Sequence, residues 1–192
     1  RRRTSEISAD FLLTLDERPI WPSASVEELR TALGGDLPEG PTDPLEVIEA
    51  FTAASEPGVV AIPSGRYFGF VIGGALPAAL AAGWLTSVWD QNAGLHVSTP
   101  GVSQLERVAL AWLIELLGLP AGTVGGFVTG ATMANFTALA AARHAVLDRA
   151  GWAVEADGLF GAPPITVLVG EEAHPTLLKS LGLLGLGRAR VH

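Results

Sequence analysis

The sequence predicts an α/β fold in which helices alternate with buried parallel strands, and three observations predict it. "PITVLVG" (164–170) is a continuous, β-branched apolar run, the pattern of a strand covered on both faces. It runs into a helical segment with Pro175 in its first turn, and "RVH" (190–192) then opens a second extended piece. A helix between two strands is the crossover that a parallel pair requires. Upstream, the small-residue segment "VTGATMANFTALAAAR" (128–143) reads as another helix, entered from a tight glycine turn.

Residues 5–33 read as two short helices broken around "ERPIWPS", the second opened by Ser25 as N-cap with Glu27 and Glu28 in its first turn. The loop 34–44, "GGDLPEGPTDP", follows from its glycines and prolines, and "LEVIEAFTAAS" is a short amphipathic helix. A helix from Pro77 to Asp90 comes next. "SQLERVALAWLIELLGLP" is the best-marked helix: Ser103 and Glu106 have capping-box spacing, and Leu105, Val108, Trp112 and Leu116 recur on one face. Gly118 and Pro120 end it. No internal repeat is evident.

With 48% hydrophobic and 17% charged residues, the chain can bury a core, which excludes wholesale disorder. A net charge of −8 and the lack of a basic, aromatic-interleaved stripe argue against nucleic acid as a partner. The absence of cysteine excludes disulfides, thiolate zinc sites and thiol nucleophiles, and fits a reducing compartment. His96, His144 and His192 show no metal-ligand spacing, and His144 reads as an exposed cap at a helix C-terminus. The run Tyr67–Trp89 carries no charge and is long enough to span a bilayer, but Gly69, Gly73, Gly74, Pro77 and Gly83 interrupt it, which suits a buried segment better. The start "RRRTSEISADF" reads as an incomplete end, not a targeting signal, and the stop after "RVH" reads as an open α/β unit with a bare sheet edge.

"GGFVTGAT" (125–132) has the outline of a phosphate-binding P-loop, with Ala131 in place of the lysine that would neutralise the β- and γ-phosphates. A triphosphate site and a GxGxxG dinucleotide site both fail on these residues. A one-phosphate cup remains: Gly130 and Ala131 leave backbone N–H groups approachable, and Thr132 adds a hydroxyl where the helix dipole is positive. A plain helix N-cap accounts for the same residues as well. His174 follows the carboxyl end of the strand 165–169, the edge where open α/β sheets bind ligands; there it can stack on a flat ring, move a proton, or simply bond to backbone. Glu171 and Glu172 read as solvated.

The segments "RYFGFVIGGALPAALAAGWLTSVWDQNAG", "LERVALAWLIELLGLP", "GGFVTGATMANFTALAAAR" and "VGEEAHPTLLKSLGLLGLG" stand in the order found in the group II pyridoxal-phosphate-dependent amino-acid decarboxylases, which the chain resembles from about residue 48 to 192. The resemblance implies the large α/β domain of a fold-type-I enzyme over 48–192, preceded by a helical segment and linker over 1–47. It implies a cytoplasmic carboxy-lyase acting on an L-amino acid, homodimeric, with pyridoxal 5′-phosphate as cofactor, no metal, no nucleic-acid partner and no membrane partner. By position, Ala131 and Thr132 would hold the cofactor phosphate, His174 would stack on its pyridine ring as the catalytic histidine, and Phe70 would line the substrate pocket near a dimer interface. Family members carry Ser or Ala where this chain has Thr132. The family's Schiff-base lysine, in a histidine–lysine motif, and its pyridine-pairing aspartate match nothing here. Lys179, the single lysine, sits in "LLKSL" and reads as a surface residue. A non-catalytic partner chain, or an aminotransferase or aldehyde lyase on the same fold, is the alternative.

Overall fold

Prolines or polar caps mark the helix starts at Val26, Pro44, Pro77, Pro100 and Pro175. The computed structural model describes all residues, Arg1–His192, which divide into two units, Arg1–Asp90 and Gln91–His192.

The first unit contains α1 (Arg2–Leu13), α2 (Val26–Leu33), α3 (Pro44–Ser55), a 3-10 turn at Glu56–Gly58, and α4 (Pro77–Trp89). Ser25 caps α2 as its sequence predicts: its hydroxyl accepts from the Glu28 N–H at 3.2 Å, and the Glu28 carboxylate accepts from the Ser25 N–H at 2.8 Å. The backbone bond from Ser25 holds the Glu28 carboxyl below its ordinary range. Asp43 caps α3 by accepting from the N–H groups of Leu45 and Glu46, with Pro44 at the first helical position. The linker after α1 is tied to the end of α3 by Arg18, whose guanidinium donates to Glu56 at 2.7 Å and to the Thr14 hydroxyl at 2.8 Å while lying over the Phe11 ring. Arg66 adds a bond to the Arg18 carbonyl at 2.7 Å.

The second unit contains α5 (Pro100–Leu116), α6 (Ala131–Arg149), α7 (Val154–Asp157) and α8 (Pro175–Leu183). Its core is the junction of α6, α7 and α8: Leu147, Val154, Leu181 and Leu184 are buried, with Ser180 among them. Arg143 on α6 reaches the Leu184 carbonyl at 3.0 Å, and the Trp152 indole N–H closes the α7 turn on the Gly158 carbonyl at 2.8 Å.

Three expectations from the sequence are corrected. The segment 164–170 does not form an extended strand; Val167 makes a single parallel bridge with Val191, in which the His192 N–H donates to the Val167 carbonyl and the Val169 N–H to the His192 carbonyl, both at 3.0 Å. The expected direction and the intervening helix are there, but a single bridge falls short of a ladder. The chain is accordingly mainly helical, without the parallel-rich sheet. Ser103 does not cap α5: Pro100, with φ preset for a helix, starts it a turn earlier behind Thr99, and the Glu106 carboxylate instead accepts from the Phe127 N–H at 3.2 Å. The apolar face of α5 is not buried, with Trp112 65% and Leu116 80% exposed. His144 is not a C-terminal cap, because α6 runs on to Arg149; its Nδ1 pairs with Glu155 at 2.8 Å.

Two outcomes follow from this packing. Leu181→Ala should cost about 2–5 kcal/mol, because a fully buried side chain leaves a cavity, whereas Trp112→Ala should change stability by under about 1 kcal/mol; denaturant midpoints of the two variants check the contrast. The bond to Glu155 raises the His144 pKa, and the same pairing lowers that of Glu155. The His144 contribution is complete below the ordinary imidazole value and is lost as pH rises through the raised one. The Glu155 contribution is complete above the ordinary carboxylate value and is lost as pH falls through the lowered one. The pair therefore supports α6 and α7 most between roughly pH 4.5 and 6.5. In Glu155→Gln, an NMR titration should find the His144 pKa shifted back down.

Candidate functional site at the α6 and α8 N-termini

Gly130 precedes α6 and has no side chain to cap it, and no acidic residue lies in its first turn. The first bond across this turn runs from the Ala134 N–H to the Gly130 carbonyl at 3.0 Å. The N–H groups of Ala131, Thr132 and Met133 thus have no helical acceptor and stand at the positive end of a long helix dipole. Ala131 is exposed and Thr132 half-buried, so small side chains and unsatisfied donors coincide at the surface.

His174 is the N-cap of α8, with Pro175 at the first helical position. Its Nδ1 accepts from the Thr176 N–H at 3.3 Å and lies 2.9 Å from the Thr176 hydroxyl. An Nδ1 that accepts belongs to a neutral ring protonated on Nε2. The side chain is exposed and Nε2 bonds to no protein group, so the ring is anchored along one edge and open at the other. Glu171 and Glu172, on the turn before it, are exposed, as is Lys179 on α8.

The two helix starts are joined. The Asn135 amide donates to the Thr176 hydroxyl oxygen at 3.0 Å, and the Ser180 hydroxyl lies 3.1 Å from the Thr132 carbonyl and 2.8 Å from the Thr176 carbonyl. Ala131, Thr132 and His174 therefore belong to one junction. Phe70 belongs to the other unit, on a loop, 84% exposed, with a left-handed φ of 54° beside Val71 at 53°. Two such residues in succession are strained, since neither is glycine and valine is β-branched.

Asn135, Thr176 and Ser180 are the residues that motif reading does not single out. Their signal is periodicity: Thr132 and Asn135 are three apart on α6, Thr176 and Ser180 four apart on α8, each a polar pair on one face among small or apolar neighbours.

What this junction can do chemically is bind one dianionic group at the α6 donors and set a planar, neutral imidazole against a flat ring. A phosphorylated aromatic cofactor has both parts, and the donor set fits pyridoxal phosphate.

Residues 27–159, more than half of the chain, match the pyridoxal-dependent decarboxylase conserved domain. Tryptophan decarboxylase 1 of Oryza sativa subsp. japonica is 26% identical over an aligned length of 195, covering 95% of this chain and 37% of that protein. An aromatic-L-amino-acid decarboxylase of Bacillus atrophaeus is 27% identical over 143 residues, 74% of this chain and 30% of that one. The chain thus spans about a third of the length of the curated relatives it matches. Among solved structures, Oryza sativa TDC with PLP and tryptamine superposes with a TM-score of 0.84 at 23% identity, covering all of this chain (100%) and 42% of that one. Mouse CSAD superposes with a TM-score of 0.80 at 23% identity, covering 92% and 36%. These likenesses speak for the backbone, which is that of the pyridoxal-phosphate decarboxylases. No helix is long and apolar enough to cross a membrane. The cofactor of the matched family is pyridoxal phosphate, and on the domain match the chain belongs to the pyridoxal-dependent decarboxylases.

Proposed function

We propose that the chain is part of the cofactor-binding α/β domain of a cytoplasmic, homodimeric carboxy-lyase that decarboxylates an L-amino acid, the domain running from about residue 48 and the helical segment 1–47 leading into it. The observation that carries the proposal is the α6–α8 junction, where uncapped helix donors and an N-capping histidine are tied together by hydrogen bonds. The backbone N–H groups of Ala131 and Thr132 would hold the cofactor's 5′-phosphate, with the Thr132 hydroxyl able to add a bond. His174, held by its cap to Thr176, would lie against the pyridine ring and keep it from tilting. When bound, pyridoxal phosphate supplies the electron sink that makes loss of CO₂ from an amino acid feasible. The chain's share would be to hold the ring flat and its phosphate fixed. Phe70, at its strained position, would line the substrate pocket.

A second reading concerns the chain's own lysine, which we propose is not an attachment point for the cofactor. Lys179 is the chain's single lysine, and it lies about 100° round α8 from Ser180, which faces α6. That direction suits a solvated side chain, not one covalently attached to a cofactor at the junction.

Titration of the full chain with pyridoxal phosphate and with phosphate-free pyridoxal tests both readings. The phosphate cup predicts that the phosphorylated form binds at least about 10-fold tighter, the effect of one or two charge-assisted bonds. Equal affinities would overturn the cup. Borohydride treatment should leave Lys179 unlabelled; a reduced adduct mapped to Lys179 would contradict its surface role.

A further inference from the structure

We infer that Thr176 and Asn135 are positioning residues for His174, forming a hydrogen-bond chain that fixes the tautomer and the orientation of its imidazole. The inference rests on the reading that His174 faces the cofactor ring. The chain is continuous: the Asn135 amide donates to the Thr176 hydroxyl oxygen at 3.0 Å, and that hydroxyl stands 2.9 Å from His174 Nδ1. Its polarity is set at both ends. An amide NH₂ only donates, so the Thr176 oxygen accepts there and its own proton is free for Nδ1. At the far end the Thr176 backbone N–H also donates to Nδ1, which must then carry a lone pair. Nε2 is left with the proton and the ring with one orientation.

The origin of the Asn135 bond gives the chain its use. Asn135 stands one turn into α6, the helix whose first residues are Ala131 and Thr132. A side-chain bond from α6 to the N-cap of α8 therefore ties the group proposed to hold a phosphate to the group proposed to hold the ring. Thr176 is half-buried and so is Asn135, whereas His174 is exposed; the support is sheltered and the supported ring is not. In water an unsupported imidazole populates both tautomers and several side-chain rotamers, so each bond to Nδ1 narrows both distributions.

The experiment has two arms on the full chain. In the first, ¹⁵N NMR of the neutral imidazole reads the His174 tautomer without any ligand. Thr176→Val and Asn135→Ala should raise the Nδ1–H population about 2- to 10-fold, the effect of one lost hydrogen bond, while Thr176→Ser keeps the native tautomer. An unchanged tautomer in Thr176→Val would overturn the inference. In the second, affinity for pyridoxal phosphate is measured for Thr176→Val, His174→Ala and the double variant. A loss of similar size on Thr176→Val that disappears in the His174→Ala background supports action through the ring; an equal loss in both backgrounds makes Thr176 merely structural and overturns it. His174→Ala without effect on affinity, together with a shifted tautomer in the first arm, would leave the positioning role standing and overturn the ring-facing reading of His174.

Discussion

The Ser180 hydroxyl is fully buried between two carbonyl oxygens, those of Thr132 on α6 and Thr176 on α8, and the second unit is organised around that contact. A hydroxyl has one proton, so the two acceptors share it, and the share that goes to the Thr132 carbonyl is a bond from α8 to α6. Leu181, also fully buried, and Leu147 and Leu184 close around it. Because Thr132 is in the first turn of α6 and Thr176 in the first turn of α8, what the contact fixes is two helix starts. The rest of the site depends on it: uncapped α6 donors and the α8 histidine cap act on one ligand only if the two starts keep their spacing.

The elements that were legible in the sequence are those whose ends are written in local chemistry. Ser25 with Glu28, Pro77, and Pro175 behind His174 announce helix starts, and each is where the chain turns helical. The α6 start was legible for a different reason, since "TGAT" leaves no side chain large enough to block the amides. Where local signals compete, the stronger one wins: at α5 the capping-box spacing of Ser103 and Glu106 gives way to Pro100, whose fixed φ starts the helix a turn earlier.

Other features depend on long-range partners and could not be read from a linear pattern. A β-branched run such as 164–170 becomes a strand only along the length of a neighbour, and here one parallel bridge to Val191 is the whole of the pairing. Apolar periodicity on α5 reports a face suited to burial; what covers it is a property of the partner, and Leu105, Val108, Trp112 and Leu116 are exposed. His144 beside Arg143 suggested a helix end, but α6 runs on through Leu147 to Arg149. The roles of Asn135 and Ser180 needed the crossing of α6 over α8, which joins positions more than forty apart in sequence.

Hydrogen exchange at the α6 amides tests the central claim most directly. If the uncapped donors of Ala131, Thr132 and Met133 receive the cofactor's phosphate, adding pyridoxal phosphate should slow exchange at the amides of the first turn of α6, with a parallel change at His174 and Thr176 and little at α2 or α3. Slowed exchange confined to other helices, or none at α6 under saturating cofactor, would contradict the account.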